Sequence, residues 1–178
     1  MIGPAMLPIT TPRLRLRDFV TEDWPAVHGY SSDTDVVRFM FWGPRTEEES
    51  RGFIDRMLAS QKERPRVTWE LAVERLADGA VIGSCDLTLE DEEGDLGFVL
   101  AKSAWGQGIA TELGRALVSV GFSVMGLRRI FATCDHQNVA SRRVLEKLGM
   151  KCEREIINHR FAKGRWWNSL EFAIYPRL

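Results

Sequence analysis

Along the chain, apolar and polar positions change period several times, and each change marks an element. From Arg13 to Arg17 the residues alternate, with Leu14 and Leu16 on one side and arginines on the other, which predicts a half-exposed strand after Pro12. Thr21 followed by Glu22 and Asp23 reads as a helix start, because a hydroxyl caps orphan amides and acids suit the positive end of the dipole; Trp24, Val27 and His28 continue the turn. A further short helix is expected near Asp33 to Phe39. Thr46 and Glu49 make a capping box, followed by the apolar stripe Phe53, Ile54, Met57 and Leu58 out to about Pro65. The middle of the chain switches to strands: Thr68 to Val73, Val81 to Leu89 and Asp95 to Leu100, separated by a turn at Asp78-Gly79 and an acidic turn at Asp91 to Gly94. A long helix follows from Gln107 to about Val124, with Ile109, Leu113, Leu117 and Val120 at core spacing. Strand Arg129 to Cys134, helix Ala140 to Leu148 and two closing strands complete the pattern. Strand, helix, strand at that length implies one parallel pair inside a mostly antiparallel sheet, an α/β (α+β) architecture.

At 178 residues with 44% hydrophobic positions, the chain fits one domain, 1–178, with a sizeable core and no call for disorder. Twenty-four basic against 25 acidic residues, a net charge of -1, point neither to nucleic acid nor to a membrane surface as partner. No apolar run is long enough to span a bilayer, and no repeat or linker-like tract divides the chain. Cys85, Cys134 and Cys152 have neither disulfide-framework nor metal-ligand spacing, and the opening MIGPAMLPIT lacks a basic region and a long apolar run, so a reducing cytoplasm is expected. His28, His136 and His159 do not cluster at metal-ligand spacing, and no metal is expected. Monomer and homodimer both remain open.

Chemistry enters with Ala104 to Glu112, AWGQGIATE, which puts two glycines and a run of free amides at the opening of the long helix. The first helical turn has N–H groups without intrahelical partners, the macrodipole adds positive charge, and Gly106 and Gly108 admit a phosphate without a Cβ in the way. Alone, such a turn also serves as a plain strand-to-helix connection. Some thirty residues on, Asn138 to Met150, NVASRRVLEKLGM, is a second short helix with a polar start and a glycine stop.

Together these segments resemble the acetyl-coenzyme-A-binding core of the GCN5-related N-acetyltransferases (GNAT), and within them the ribosomal-protein-alanine N-acetyltransferases of the Rim type. The resemblance runs from TPRLRLRDF at Thr11 to GRWWNSLEFAI at Gly164. It implies the GNAT fold, a mixed, mostly antiparallel sheet of six to seven strands flanked by helices, in which two neighbouring strands splay beside a bulged strand and the pantetheine arm lies in the gap. Carried across by position, the main chain of Phe98, Val99 and Leu100 would hold pantetheine. The diphosphate would sit on the amides of Gly106, Gln107, Gly108, Ile109 and Ala110, with the Thr111 hydroxyl as a further donor. Trp105 occupies the first place of the family's loose glycine pattern, where Gln or Arg is usual and the Rim branch often has an aromatic residue.

Many relatives carry Asn, then Ala three residues on, then a Tyr that protonates the departing thiolate. This chain has Asn138, Ser141 and Leu145 at those places, so the usual acid is missing. Positions 141 and 145 share a helix face, and Ser141 becomes the group expected to hydrogen-bond the coenzyme sulfur, with Asn138 holding pantetheine or sulfur; helix capping is the alternative role for both. Direct attack by a neutral amine needs a proton acceptor. Asp95, where many relatives have Glu, and Glu70, a charge flanked by Trp69 and Leu71, are the candidates, and a main-chain N–H of Val99 or Leu100 would serve the oxyanion. Phe39, Phe41, Trp42 and Arg45, with Arg160, Arg165, Trp166 and Trp167, are expected to wall the amine side. The Rim branch often shows Asp where this chain has Asn168, which weakens transfer of its peptide specificity. The expected reaction is transfer of acetyl from acetyl-CoA to a primary amine, a protein or peptide N-terminus first. A small-molecule amine, or coenzyme A binding without turnover, are the alternatives.

Overall fold

A computed structural model describes residues 7–176. The strands are β1 (Ile9–Thr10), β2 (Leu14–Arg17), β3 (Thr68–Arg75), β4 (Val81–Glu90), β5 (Glu93–Leu100), β6 (Arg129–Asp135), β7 (Lys151–Ala162) and β8 (Arg165–Ile174). The helices are α1 (Trp24–Ser31), α2 (Glu47–Ser60), α3 (Ile109–Ser123) and α4 (Val139–Lys147). The strands form one sheet in the order β1-β2-β3-β4-β5-β6-β8-β7. Its β5–β6 pair is parallel, and every other pair is antiparallel. The sheet has eight strands where six to seven were expected; β1 is the unanticipated one, two residues paired with Leu16 and Arg15 at the edge. Residues 1–6, most of the segment read for a leader, lie outside the described residues.

The capping box of α2 forms as expected: Thr46 Oγ1 accepts from Glu49 N at 3.2 Å, and Glu49 Oε2 accepts from Thr46 N at 2.8 Å. The short helix expected near Asp33 to Phe39 does not form, and that stretch runs through turns. The Asp33 carboxylate accepts from Asp35 N at 2.8 Å, a local turn that competes with helix at so short a length.

Strand alternation sends the two halves of each strand's side chains to different helices. Leu71, Cys85, Leu87 and Leu96 pack with Leu113 and Leu117 of α3 and Leu145 of α4. Ala72 and Val99 face the other way, toward Phe19, Val27, Phe53 and Ile54 around α1 and α2. The parallel pair is short. Glu93, Gly94 and Asp95 register with Arg129, Ile130 and Phe131, and no residue from Leu96 to Leu100 pairs with β6. The two strands therefore part after Asp95, leaving the splay that the resemblance implies. The implied bulge does not occur on β5, whose register against β4 is continuous from Glu93 to Leu100.

The closed end of the splay is tied by ions. Glu171 on β8, 4% exposed, accepts from Arg129 Nη2 and Arg154 Nη2, each at 2.8 Å, and Arg129 also reaches Glu93 at 2.6 Å and Glu153 at 2.8 Å. Burial works to raise the Glu171 carboxyl, but the bonds from Arg154 and Arg129 outweigh it and hold it below the ordinary glutamate value. Its contribution is therefore full above the unfolded-state pKa and is lost as pH falls through the lowered folded value. Glu171→Ala is expected to cost about 2 kcal/mol, because it removes the buried carboxylate that Arg129 and Arg154 share and leaves Arg129 only its more exposed partners Glu93 and Glu153. Thermal melts should show a drop of several degrees at neutral pH that narrows on acidification; an unchanged melting temperature would refute the assignment.

Candidate active site

After β5 the chain makes a short 3-10 turn at Lys102–Ala104, then a glycine turn into α3. Gly106 and Gly108 both have φ in the left-handed region, 72° and 75°, which a Cβ would strain. Gly108 is the N-cap of α3 and offers no capping side chain, so the first-turn amides keep their donors for an anion. The turn is held from behind. Arg13 Nη1 donates to Gln107 O at 2.9 Å and its Nε to Glu112 Oε2 at 2.6 Å, while Thr11 Oγ1 donates to Glu112 Oε1 at 2.6 Å.

A cleft of about 480 Å³ opens along this turn. Phe98, Val99, Leu100, Trp105, Gly106, Gly108, Ile109, Ala110, Thr111, Asn138 and Ser141 line it, with Arg143 and Lys147 of α4 at its rim. Gln107 does not line it: its side chain donates to Ser103 O at 2.7 Å and its carbonyl turns to Arg13, which leaves only its N–H for a ligand. Trp105 Nε1 donates to Leu100 O at 2.9 Å, fastening the turn to the strand end.

Ala101 N donates to Ile82 O at 2.8 Å, and Gly83 registers with Leu100. By the alternation of an antiparallel ladder, the main-chain groups of Gly97 and Val99 are then spent on β4, and those of Phe98 and Leu100 point into the splay. The Val99 N–H expected to serve an oxyanion is thus already engaged, whereas the N–H groups of Phe98 and Leu100 are free to bond.

On the opposite side of the splay, Asn138 caps α4, its Oδ1 accepting from Ser141 N at 3.1 Å. The Ser141 hydroxyl makes no hydrogen bond among the described residues, so the cap belongs to Asn138, whose amide nitrogen is also left over. Leu145 is buried, closing the position where many relatives carry a phenol. Ser141, Asn138 and Phe98 border both the cleft and a second, smaller cavity of about 220 Å³.

This second cavity passes through the splay. Gly97, Thr133 and Cys134 form part of its floor, and Phe41, Trp42 and Arg160 its roof. The roof is braced: the Phe41 ring meets Trp167 edge-on at 5.8 Å, Arg160 lies 4.9 Å from the Phe41 centroid, and Lys163 Nζ donates to Val37 O at 2.7 Å. Of the other expected wall residues, Phe39 lines both cavities, Arg45 stacks on Trp42 at 4.0 Å, Arg165 stacks on Trp167 at 3.7 Å, and Trp166 is exposed. Cys134 lines the cavity as a buried thiol that burial pushes up to about 11, out of reach of a thiolate role near neutrality.

Glu70 and Asp95 do not line either cavity; they stand on the α1/α2 face of the sheet beside the splay. Glu70 accepts from Ser84 Oγ at 3.2 Å, and burial raises its carboxyl against that bond and the charges of Arg45 and Arg56. Burial, aided by Glu90 and Glu171 and opposed by Arg160, pushes Asp95 up to about 6. A third carboxylate, Asp86, joins them. It faces Gly97 across the β4–β5 ladder, and burial together with Glu70 and Asp95 drives it well above the ordinary aspartate range. The sequence held a signal for it: in Val81 to Leu89 the polar residues Ser84, Asp86 and Thr88 alternate on a strand central to the sheet, where either face is covered. Among the described residues no group of three or more His, Cys, Asp or Glu is placed to hold a metal, and no helix is long and apolar enough to cross a membrane.

An uncapped helix start, a parallel pair that parts, and a polar helix turn facing it define an acyl-CoA N-acyltransferase architecture. The acetyltransferase (GNAT) domain family matches residues 13–151, and the chain belongs to that family of N-acetyltransferases. It is 32% identical to the uncharacterized N-acetyltransferase YnaD of Bacillus subtilis over 93% of this chain and 95% of that protein. A GNAT-family acetyltransferase from Bacillus anthracis superposes with a TM-score of 0.84 at 31% identity, covering 95% of this chain and 98% of that one. The fold is also that of a spermidine N-acetyltransferase from Vibrio cholerae solved with CoA and spermine, with a TM-score of 0.77, 17% identity, and 93% and 96% of the two chains covered.

Proposed function

We propose that this chain transfers acetyl from acetyl-CoA to the primary amine of a small cationic molecule, in the cytoplasm. The observation that carries the transfer is the uncommitted Ser141 hydroxyl at the junction of the two cavities, across the splay from the main-chain N–H groups of Phe98 and Leu100. The diphosphate rests on the amides from Gly106 to Ala110 with the Thr111 hydroxyl, and pantetheine lies along Phe98 to Leu100. The amine, entering from the roofed cavity, gives up a proton and attacks the thioester carbon; the N–H of Phe98 or Leu100 bonds the oxyanion. Collapse breaks the carbon–sulfur bond, and Ser141 bonds the departing thiolate while Asn138 holds it from the helix start. Asp95 lines neither cavity and takes the proton through water; with its carboxyl pushed up to about 6, it is the acceptor best matched to neutral pH.

A small acceptor suits a braced cavity of about 220 Å³ better than a protein end does. The fold shared with a spermidine acetyltransferase has room for such an amine in that protein. A protein N-terminal α-amine is the second reading, favoured by the Rim-type motifs NVAS and Trp105. Thiol release from acetyl-CoA, measured against a panel of small amines and N-terminal peptides, separates the two. The first predicts release with amines and little with peptides; the reverse order would favour the second. Tight coenzyme binding with no release for any acceptor would leave a non-catalytic binding protein.

The proton acceptor has its own check. A base must be ionised to act, so kcat/KM should fall as pH drops through about 6, where Asp95 gains its proton. Asp95→Asn should remove that acidic limb and lower the neutral-pH rate by about a hundredfold. An unchanged pH profile in the variant would take Asp95 out of the reaction.

A further inference from the structure

Three carboxylates among the described residues are buried to 6% exposure or less: Asp23, Asp135 and Glu171. Two of them hold guanidinium groups. Asp23 accepts from Arg17 Nη1 and Nη2 at 2.8 and 2.9 Å, and Glu171 accepts from Arg129 and Arg154, each at 2.8 Å. Asp135 has no lysine or arginine at ion-pair distance among the described residues; its one neighbour of that kind is His136, whose Nδ1 lies 3.8 Å from Oδ1 and which carries charge only when protonated.

Asp135 is also the one of the three that lines a cavity. It stands at the end of β6 against the smaller cavity, together with Thr133 two residues earlier, which strand alternation places on the same face. Its two oxygens have different duties. Oδ1 accepts from Gln137 N at 2.8 Å, and Oδ2 makes no hydrogen bond among the described residues. That oxygen is not sealed in the core, so it opens on the cavity that the residue lines. A desolvated carboxylate oxygen with no cation of its own, open to a cavity, takes its partner from outside the chain.

The same turn carries the groups assigned to the coenzyme sulfur. Asn138 N donates to Asp135 O at 2.8 Å, and Asn138 Oδ1 accepts from Ser141 N at 3.1 Å. With the bond from Gln137 N, these tie the carboxylate, Asn138 and Ser141 into one unit where β6 passes into α4, and all three residues line the smaller cavity. A nitrogen held by Asp135 is thereby fixed relative to a thioester beside Ser141, which lowers the entropy left to lose in the reaction.

We propose that Asp135 is a catalytic residue that binds the attacking amine. This rests on the transfer reading above, holds for a small amine and a peptide end alike, and supplies the contact to the nucleophile that Asp95, outside both cavities, does not make. The acceptor enters as an ammonium and donates to Asp135 Oδ2, with the Thr133 hydroxyl beside it. One proton leaves through water toward Asp95. The neutral nitrogen, still donating to Oδ2, attacks the thioester carbon; the carbon–nitrogen bond forms and the carbon–sulfur bond breaks. A second proton from the nitrogen ends on sulfur, so coenzyme A departs as the thiol, and the third hydrogen stays on the amide.

The test uses Asp135→Asn, which keeps an acceptor for Gln137 N and removes the charge. With butylamine as acceptor and acetyl-CoA saturating, kcat/KM should fall about tenfold to a hundredfold, the scale of a hydrogen bond to a charged group, with the larger part in KM. Melting temperature and acetyl-CoA affinity should match wild type. Isothermal titration of butylammonium into protein saturated with coenzyme A reads binding without turnover, and the variant should bind more weakly by a similar factor. Equal kcat/KM in the two proteins, or butylammonium affinity unchanged by the substitution, would overturn the proposal. A rate loss that tracks a lower melting temperature or weaker acetyl-CoA binding would overturn it too, leaving Asp135 a turn former. Thiol release by the wild type with an undiminished variant defeats this proposal alone; no release with any amine or peptide defeats the transfer reading and this proposal with it.

Discussion

Gly108→Val is expected to lower affinity for acetyl-CoA by about a hundredfold while leaving the protein folded. Gly108 has φ of 75° and is the N-cap of α3. A β-branched residue in the left-handed region costs roughly 1–2 kcal/mol in backbone strain, and relieving it rotates the amides that follow. Each charge-assisted bond lost from a phosphate adds about 1.5–3 kcal/mol. The Cβ itself has space, its nearest neighbour being Arg13 Nη2 at 3.7 Å, so the damage falls on the ligand side and not on the core. Isothermal titration and a thermal melt separate the two effects. Wild-type affinity in the variant would mean that the glycine turn holds no phosphate.

Ser141→Ala should lower kcat by about tenfold to a hundredfold and change acetyl-CoA affinity by less than about threefold, because the hydroxyl acts on sulfur chiefly when negative charge develops there. Helix stability should hardly change, since the cap of α4 is the Asn138 carboxamide bonding Ser141 N, which alanine retains. That separation distinguishes a chemical role from capping. Equal kcat in wild type and variant would remove Ser141 from the reaction and pass protonation of the thiolate to water.

Much of the fold was legible because its signals are local. Leu14 and Leu16 alternate into the core, Thr46 and Glu49 cap α2 reciprocally, and the glycines at 106 and 108 adopt the positive φ that their place before α3 demanded. The short helix near Asp33 failed for a local reason too, the Asp33 side chain bonding its own turn. What could not be read is set by distant pairings. Lys163 reaches Val37 O across 126 positions to brace the roof, and no period or motif predicts that. Asp86 was missed because its importance depends on register: only once Glu70 and Gly97 are its partners does one more polar residue in an alternating strand become part of a carboxylate patch beside the cavity. At Gln107 only the main-chain N–H was expected to meet a ligand, and its side chain and carbonyl are turned to Ser103 and Arg13.

The central claim is that the splay between β5 and β6, with the uncapped start of α3, binds acetyl-CoA so that its thioester lies beside Ser141. Isothermal titration of the wild-type protein with acetyl-CoA tests it most directly. One site per chain with micromolar affinity, competed by coenzyme A, is the result predicted. No binding heat at millimolar acetyl-CoA, from a protein that melts cooperatively, would contradict it.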